Sequence, residues 1–352
     1  MYILLAILIF GLLIIVHELG HFIAAKALGV KVNEFAVCMG PAIVQKTVGE
    51  TTYSLRAIPI GGFCAMEGED EASDNPRAFT SAKWWKRLII LAAGAFMNFV
   101  AGFVIISLVF AGAQGFGTPQ VESVYPGSAM EEAGVRAGDV IWSVNGQRVY
   151  LDSDVSLLLS RLRSNRTDLV VKRGGARVVL ADSLIEQREF EVDGEKRMLY
   201  GINLHVQEAS FGALLRHSWY SCIDFSRMVW MGLSDLITGR AGLNDVGGPV
   251  TIVHTMSESG KAAPNAAAGI QNVFYLAAFI AVNLAVMNML PIPALDGGRI
   301  FFLLVTLVLE KLLHRKIDPK YEGYIHAAGM ILLLAFMAFI TFHDVWMLLF
   351  KK

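Results

Sequence analysis

The sequence predicts a multi-pass α-helical membrane protein with four transmembrane helices and a soluble α/β domain inserted between the second and third. Three observations carry the prediction. Of the 352 residues, 55% are hydrophobic and only 17% charged, whereas soluble domains carry about 25% charged residues. Four long apolar segments stand out, and a bilayer crossing needs about 20 mostly apolar residues. Between residues 114 and 207 the pattern changes to short alternating runs broken by turn signals, as in a soluble mixed domain.

The first apolar segment, Tyr2 to Leu28, has only Met1 to Val16 before charge arrives. Sixteen helical residues rise about 24 Å, not quite a bilayer thickness, so His17 to His21 are expected within membrane depth, towards the far leaflet. No basic leader precedes this run and no small-x-small cleavage site follows it, so it reads as a retained helix. The second segment runs from Leu88 to Ala113 and closes a membrane region over 1–113. In the inserted region, Val121–Val124 alternates like a strand, and Val140–Val144 ends in Asn145-Gly146, a strong hairpin signal. Asp154 to Leu162 has helical spacing, and Asp168–Lys172 and Arg177–Leu180 read as strands. Residues 208–270 read as a surface helix, Phe211 to Leu236, followed by a linker. That helix is amphipathic enough to lie on the bilayer, and packing against the soluble domain is an equally good reading. The C-terminal membrane region, 271–352, holds a third segment, Phe274 to Leu313, interrupted at Pro291-Ile292-Pro293, and a fourth from Ile325 to Phe350.

Loop charge sets the orientation. Lys26, Lys31, Lys46, Arg56, Arg77, Lys83, Lys86 and Arg87 lie between the first two spans, and Lys311, His314, Arg315, Lys316 and Lys320 precede the last. Both loops are expected in the cytoplasm, with both termini and the inserted domain outside it; Lys351-Lys352 is a mild exception. The formal net charge of -1 lacks the basic excess of a nucleic-acid binder. Three cysteines, Cys38, Cys64 and Cys222, with no CxxC pair, exclude a complete disulfide framework and a cysteine zinc knuckle.

The sharpest motif is His17-Glu18-Leu19-Gly20-His21. Residues four apart share a helix face, so both imidazoles can reach one metal, with Glu18 beside them as a base. With eight His in the chain, a chance HExxH has odds on the order of one in a hundred. The bland alternative, an idle polar cluster, is costly at bilayer depth. Zinc needs a third protein ligand. Asp296, at the end of the apolar run Asn288-Met289-Leu290-Pro291-Ile292-Pro293-Ala294-Leu295, is the natural candidate, because an unpartnered Asp there is expensive and two prolines open irregular backbone beside it. His205, His217, His254, His314, His326 and His343 lack ligand spacing and read as packing or interfacial residues. Two rivals remain: an ion or metal transporter, whose spans would need further acidic or His residues, and a catalytically idle scaffold, which would not need Glu18.

HELGH and NMLPIPALDGG together resemble the site-2 protease family of intramembrane zinc metalloproteases, and most closely its bacterial RseP/RasP-type branch. Ile58-Pro59-Ile60-Gly61-Gly62-Phe63, Gly248-Pro249-Val250, Pro126-Gly127-Ser128-Ala129 and Gly134-Val135-Arg136-Ala137-Gly138-Asp139 support the likeness. The resemblance implies a metalloendopeptidase with Zn2+ held by His17, His21 and Asp296, and Glu18 catalytic. It also implies substrate handling by Asn283 and Asn288, and a membrane-re-entrant β-hairpin around Ile58–Met66, with Gly61 and Gly62, that presents substrate as an extended strand. The inserted domain, 114–207, would be a single PDZ-like domain that either excludes or captures substrates. Substrates would be single-pass membrane proteins already trimmed by another protease, such as anti-sigma factors, and remnant signal peptides, in the inner (plasma) membrane of a bacterium, with the active site towards the cytoplasmic side.

Overall fold

A computed structural model describes residues 1–69, 73–162, 164–192, 194–242, 246–314 and 320–350. Of the charges used for orientation, Arg315, Lys316, Lys351 and Lys352 lie outside the described residues. The chain forms two compact units: Met1–Val109 together with Phe225–Lys352, and Phe110–Asp224.

Helix α1 (Tyr2–Leu28) stops where Gly29 turns left-handed at φ 84° and its N–H returns to the Ala25 and Lys26 carbonyls. Strands β1 (Val32–Val48) and β2 (Thr51–Met66) follow, joined at Val48 and Thr51. Their register folds back on itself: Glu34–Val37 lie opposite both Thr52–Leu55 and Gly62–Ala65. The expected hairpin over Ile58–Met66 is therefore only the last arm of a larger sheet that begins at Val32. The second span is α2 (Trp84–Phe110).

The second unit begins with β3 (Gly115–Val124) and α3 (Ala129–Glu132), where the Ser128 hydroxyl accepts from the Glu131 N–H and the Glu131 carboxylate accepts from the Gly127 N–H. Next come β4 (Val140–Val144) and β5 (Gln147–Arg148), turned by Asn145 and Gly146 at φ 48° and 75°, the positive values a two-residue hairpin needs. After α4 (Asp152–Ser160) come β6 (Arg166–Arg173), β7 (Ala176–Leu184), β8 (Arg188–Val192), β9 (Glu195–Leu199) and β10 (Ile202–Glu208). The main sheet has the order β10-β3-β4-β6-β7, with β5 on β4, and β8–β9 form a separate ribbon. Strand β9 is almost wholly exposed and carries little alternation, whereas β10 alternates strictly from Ile202 to Gln207, a signal present in the sequence but not read there as a strand.

Helix α5 (Phe211–Ile237) matches the expected surface helix in extent. The expected linker after it contains a helix instead, α6 (Pro249–Lys261), with Pro249 in its first turn. Its β-branched start, Val250-Thr251-Ile252-Val253, carries little local helical signal. The N-terminus is completed from far along the chain, where buried Asp344 accepts the Thr251 N–H at 3.0 Å. Helix α7 (Ala266–Asn288) starts earlier than the apolar run suggests, because the Asn265 side chain caps it through the Ala268 N–H. The Pro-rich break separates it from α8 (Asp296–Leu313), and α9 (Lys320–Phe350) closes the chain. Among the described residues, four stretches are long and apolar enough to cross a bilayer: Tyr2–Leu28, Trp84–Phe110, Ala266–Asn288 and Gly323–Met347. One buried cluster joins α1, the sheet and α2 through Ala25, Val32, Cys64, Met66, Phe79 and Ile90. A second joins α1, α6 and α7 through Ala6, Leu13, Met256, Val273 and Ala277.

Candidate metal centre

Helix geometry stacks His17 and His21 one turn apart, their rings edge-to-face at 4.8 Å. Asp296 opens α8, and its Oδ2 lies 3.1 Å from His17 Nε2 and 3.3 Å from His21 Nε2; the two Nε2 atoms are 3.2 Å apart. The carboxylate oxygen is buried and has no well-aligned hydrogen-bond donor. A tetrahedron with centre-to-corner bonds of 2.0–2.1 Å has edges of roughly 3.3–3.4 Å. The three donor atoms therefore form nearly one face of a zinc tetrahedron, leaving a fourth corner for water or substrate. Among the described residues, these three make the one group of His, Cys, Asp or Glu side chains placed to share a metal ion.

The outer atoms of both rings are also engaged, as metal-binding imidazoles require. His21 Nδ1 donates to the Ile90 carbonyl at 2.8 Å, and His17 Nδ1 lies 3.3 Å from the Asn98 side-chain amide. Asn98 is buried and its Oδ1 has no partner. Turning the amide over puts that oxygen on the His17 Nδ1–H, leaving Nε2 free to bind metal. Asn98 was legible as a polar residue inside the second apolar span, a signal the sequence reading passed over. The Ile90 carbonyl carries no sequence signal at all.

Close backbone approach makes the site possible. A Cβ on Gly20 would strike the Ala93 backbone, and one on Gly94 would enter the two imidazoles, so α1 and α2 meet through these glycines. Gly297 and Gly298 press the first turn of α8 against the carbonyls of 289–292. His326, read as a packing residue, accepts the Ala294 N–H at 3.2 Å and so braces the loop leading into Asp296.

Glu18 faces the sheet. Its Oε2 accepts the Cys64 N–H at 3.1 Å, and a Cβ on Gly62 would lie 3.8 Å from Glu18 Cγ. Gly61, at φ 78°, precedes this arm. Arg299, one turn after Asp296, pairs with Glu69 just beyond β2, tying α8 to the same arm. Asn283 and Asn288 are half-buried near the end of α7. Five helical residues turn the chain through about 140° beyond a full circle, so the two asparagines do not share a face.

Two imidazoles, a carboxylate and an adjoining glutamate, set among bilayer-length helices, define a zinc-dependent metalloendopeptidase of the membrane. The chain belongs to peptidase family M50, whose model matches residues 5–336. It is 35% identical to a protein named as a zinc metalloprotease in Clostridium perfringens, over 98% of each chain. It is 33% identical to another so named in Synechocystis, over 99% of this chain and 95% of the relative. A third relative, the regulator of sigma-W protease of Bacillus subtilis, is 27% identical over 96% of this chain and 97% of its own.

Proposed function

We propose that the chain hydrolyses peptide bonds within or beside the transmembrane segments of single-pass membrane proteins, with His17, His21 and Asp296 as zinc ligands and Glu18 as general base and acid. The observation that carries this reading is the triangle of donor atoms at 3.1–3.3 Å beside Glu18. Bound there, zinc would act as a Lewis acid on the scissile carbonyl and make water acidic enough to attack near neutral pH. Glu18 takes the proton of the attacking water and delivers it to the leaving nitrogen, so that water adds across the bond and yields a carboxylate and an amine. The Cys64 N–H holds the carboxylate in position for both transfers.

A helical substrate hides its peptide groups in its own hydrogen bonds and must unwind before it can be cut. The arm that begins at Gly61 and Gly62 and runs to Met66 is suited to take the unwound chain as an added strand. Asn283 and Asn288 would serve different parts of the bound backbone, or one of them the developing oxyanion. Single-pass proteins already trimmed by another protease, such as anti-sigma factors, and remnant signal peptides fit this chemistry; the B. subtilis relative is named as a regulator of sigma-W, which favours the anti-sigma factors. The inserted unit is proposed as one PDZ-like domain. It and both termini are placed outside the cytoplasm of a bacterial inner membrane, and the metal towards the cytoplasmic side, on the strength of the basic loops.

The test is paired. In purified protein, Glu18→Gln should keep its zinc and lose cleavage of a model transmembrane peptide, while Asp296→Asn should lose zinc. Wild-type cleavage by Glu18→Gln would overturn the assignment.

A further inference from the structure

The unit Phe110–Asp224 is acidic overall, with twelve Lys and Arg against fifteen Asp and Glu. Five of these cations pair with carboxylates: Arg166 with Asp182, Arg173 with Asp139, Arg188 with Glu132, Lys196 with Glu189 and Arg197 with Glu195. One face gathers cations on aromatic rings instead. Arg148 stacks on the Trp142 indole, and the same ring carries Lys172 at 4.5 Å and Arg177 at 4.6 Å. The cluster continues through Tyr150, which stacks on Tyr220 at 4.8 Å, to Arg216, 5.8 Å from the Tyr220 ring. Among the described residues, no carboxylate pairs with Lys172, Arg177 or Arg216. Burial lowers the pKa of the Arg148 guanidinium, and the nearby Arg177 charge adds to that effect. One cation on an indole is ordinary packing; Lys172 and Arg177 converge on the same ring with no carboxylate between them, and like charges repel unless an anion joins them.

We propose that this face, Trp142, Tyr150 and Tyr220 with Lys172, Arg177 and Arg216, docks on the anionic phospholipid headgroups of the bilayer. Three features favour a lipid surface over an acidic peptide. Lys172 and Arg177 share the Trp142 ring while Arg216 stands at the Tyr220 ring, which gives two places of contact rather than one closed pocket. Tryptophan and tyrosine are the residues that settle at the headgroup level. Arg216 and Tyr220 stand on α5, whose later half, from Phe225, belongs to the unit with the four spans. Exposed Trp219 on the same turn adds another interfacial side chain.

The experiment uses the full chain in nanodiscs of phosphatidylcholine alone or with one-third phosphatidylglycerol, and follows amide exchange across the turn at Gly174 and Gly175, between Lys172 and Arg177. Exchange should be on the order of tenfold slower in the anionic discs, since each basic residue near such a surface contributes roughly 1 kcal/mol. The difference should vanish at high salt and in Lys172→Gln/Arg177→Gln, while amides of β4 exchange as in wild type, showing that the variant is folded. Equal exchange in both discs would overturn the proposal. So would equal protection in zwitterionic discs on adding either inorganic phosphate or an acidic peptide, which would assign the face to a soluble anion or to a protein partner. None of these readouts depends on proteolysis.

Discussion

Gly94→Ala tests the geometry of the metal centre without touching a ligand. A methyl there would lie 2.7 Å from His17 Cε1 and 2.8 Å from His21 Cε1. Carbon atoms in contact sit about 3.5–4.0 Å apart, so the rings or α2 must retreat by roughly 1 Å. A zinc site tolerates about 0.2 Å around its bond lengths. Displacing both imidazoles by several times that amount should weaken zinc at least about 100-fold, beyond the 10–100-fold typical of outer-shell changes. At saturating zinc, a 100-fold weaker site removes about 2.7 kcal/mol of ligand-linked stability. Gly11→Ala on α1 is the control, because a Cβ there meets nothing within 4 Å. Competition against a chromophoric chelator would give the affinities, and thermal unfolding with and without zinc would give the stabilities. Gly94→Ala binding zinc as tightly as Gly11→Ala would refute the reasoning.

Asn98→Ala should weaken zinc about 10–100-fold by freeing the His17 ring, whereas Asn98→Asp, still an acceptor for the His17 Nδ1–H, should restore most of it; chelator competition distinguishes the two. Outside the spans, hydrogen bonds from Arg77 and Lys26 hold the Glu50 pKa at about 2, and those from Ser73 and Lys31 hold Glu67 at about 2. A depressed carboxylate pKa stabilises the fold fully above the ordinary value of 4.5, and that contribution is lost as pH falls from there through about 2. Intrinsic-rate-corrected amide exchange over 46–55 should therefore be flat from neutral pH to about 5 and rise below it; in Glu50→Gln the acid-induced rise should shrink. For orientation, single cysteines replacing Ser81 and Ser164 in a cysteine-free chain should react differently with an impermeant reagent in intact cells. Ser164→Cys should label and Ser81→Cys should not, and the reverse would invert the topology.

Much of this protein is decided locally. The four spans are legible as long apolar stretches of sequence, and the Asn145-Gly146 turn follows from two residues that tolerate positive φ. The pairing of His17 with His21 follows from helix pitch alone. Asp296 could be suspected because an isolated carboxylate is expensive where it stands. Its arrival 3.1 Å from His17 depends on how α8 packs against α1, across 279 residues of chain. The rest of the centre lies in that same packing. Gly94 lets α2 approach, the Ile90 carbonyl and Asn98 orient the rings, and the Cys64 N–H reaches Glu18 only because β2 folds back along β1. Backbone groups look alike in any sequence, and a glycine does not announce which neighbour needs its missing side chain. The sequence by itself therefore determined the helices and the ligand types. Tertiary structure decided which distant backbone atoms hold those ligands in place, because that depends on contacts between segments rather than on periodicity within one.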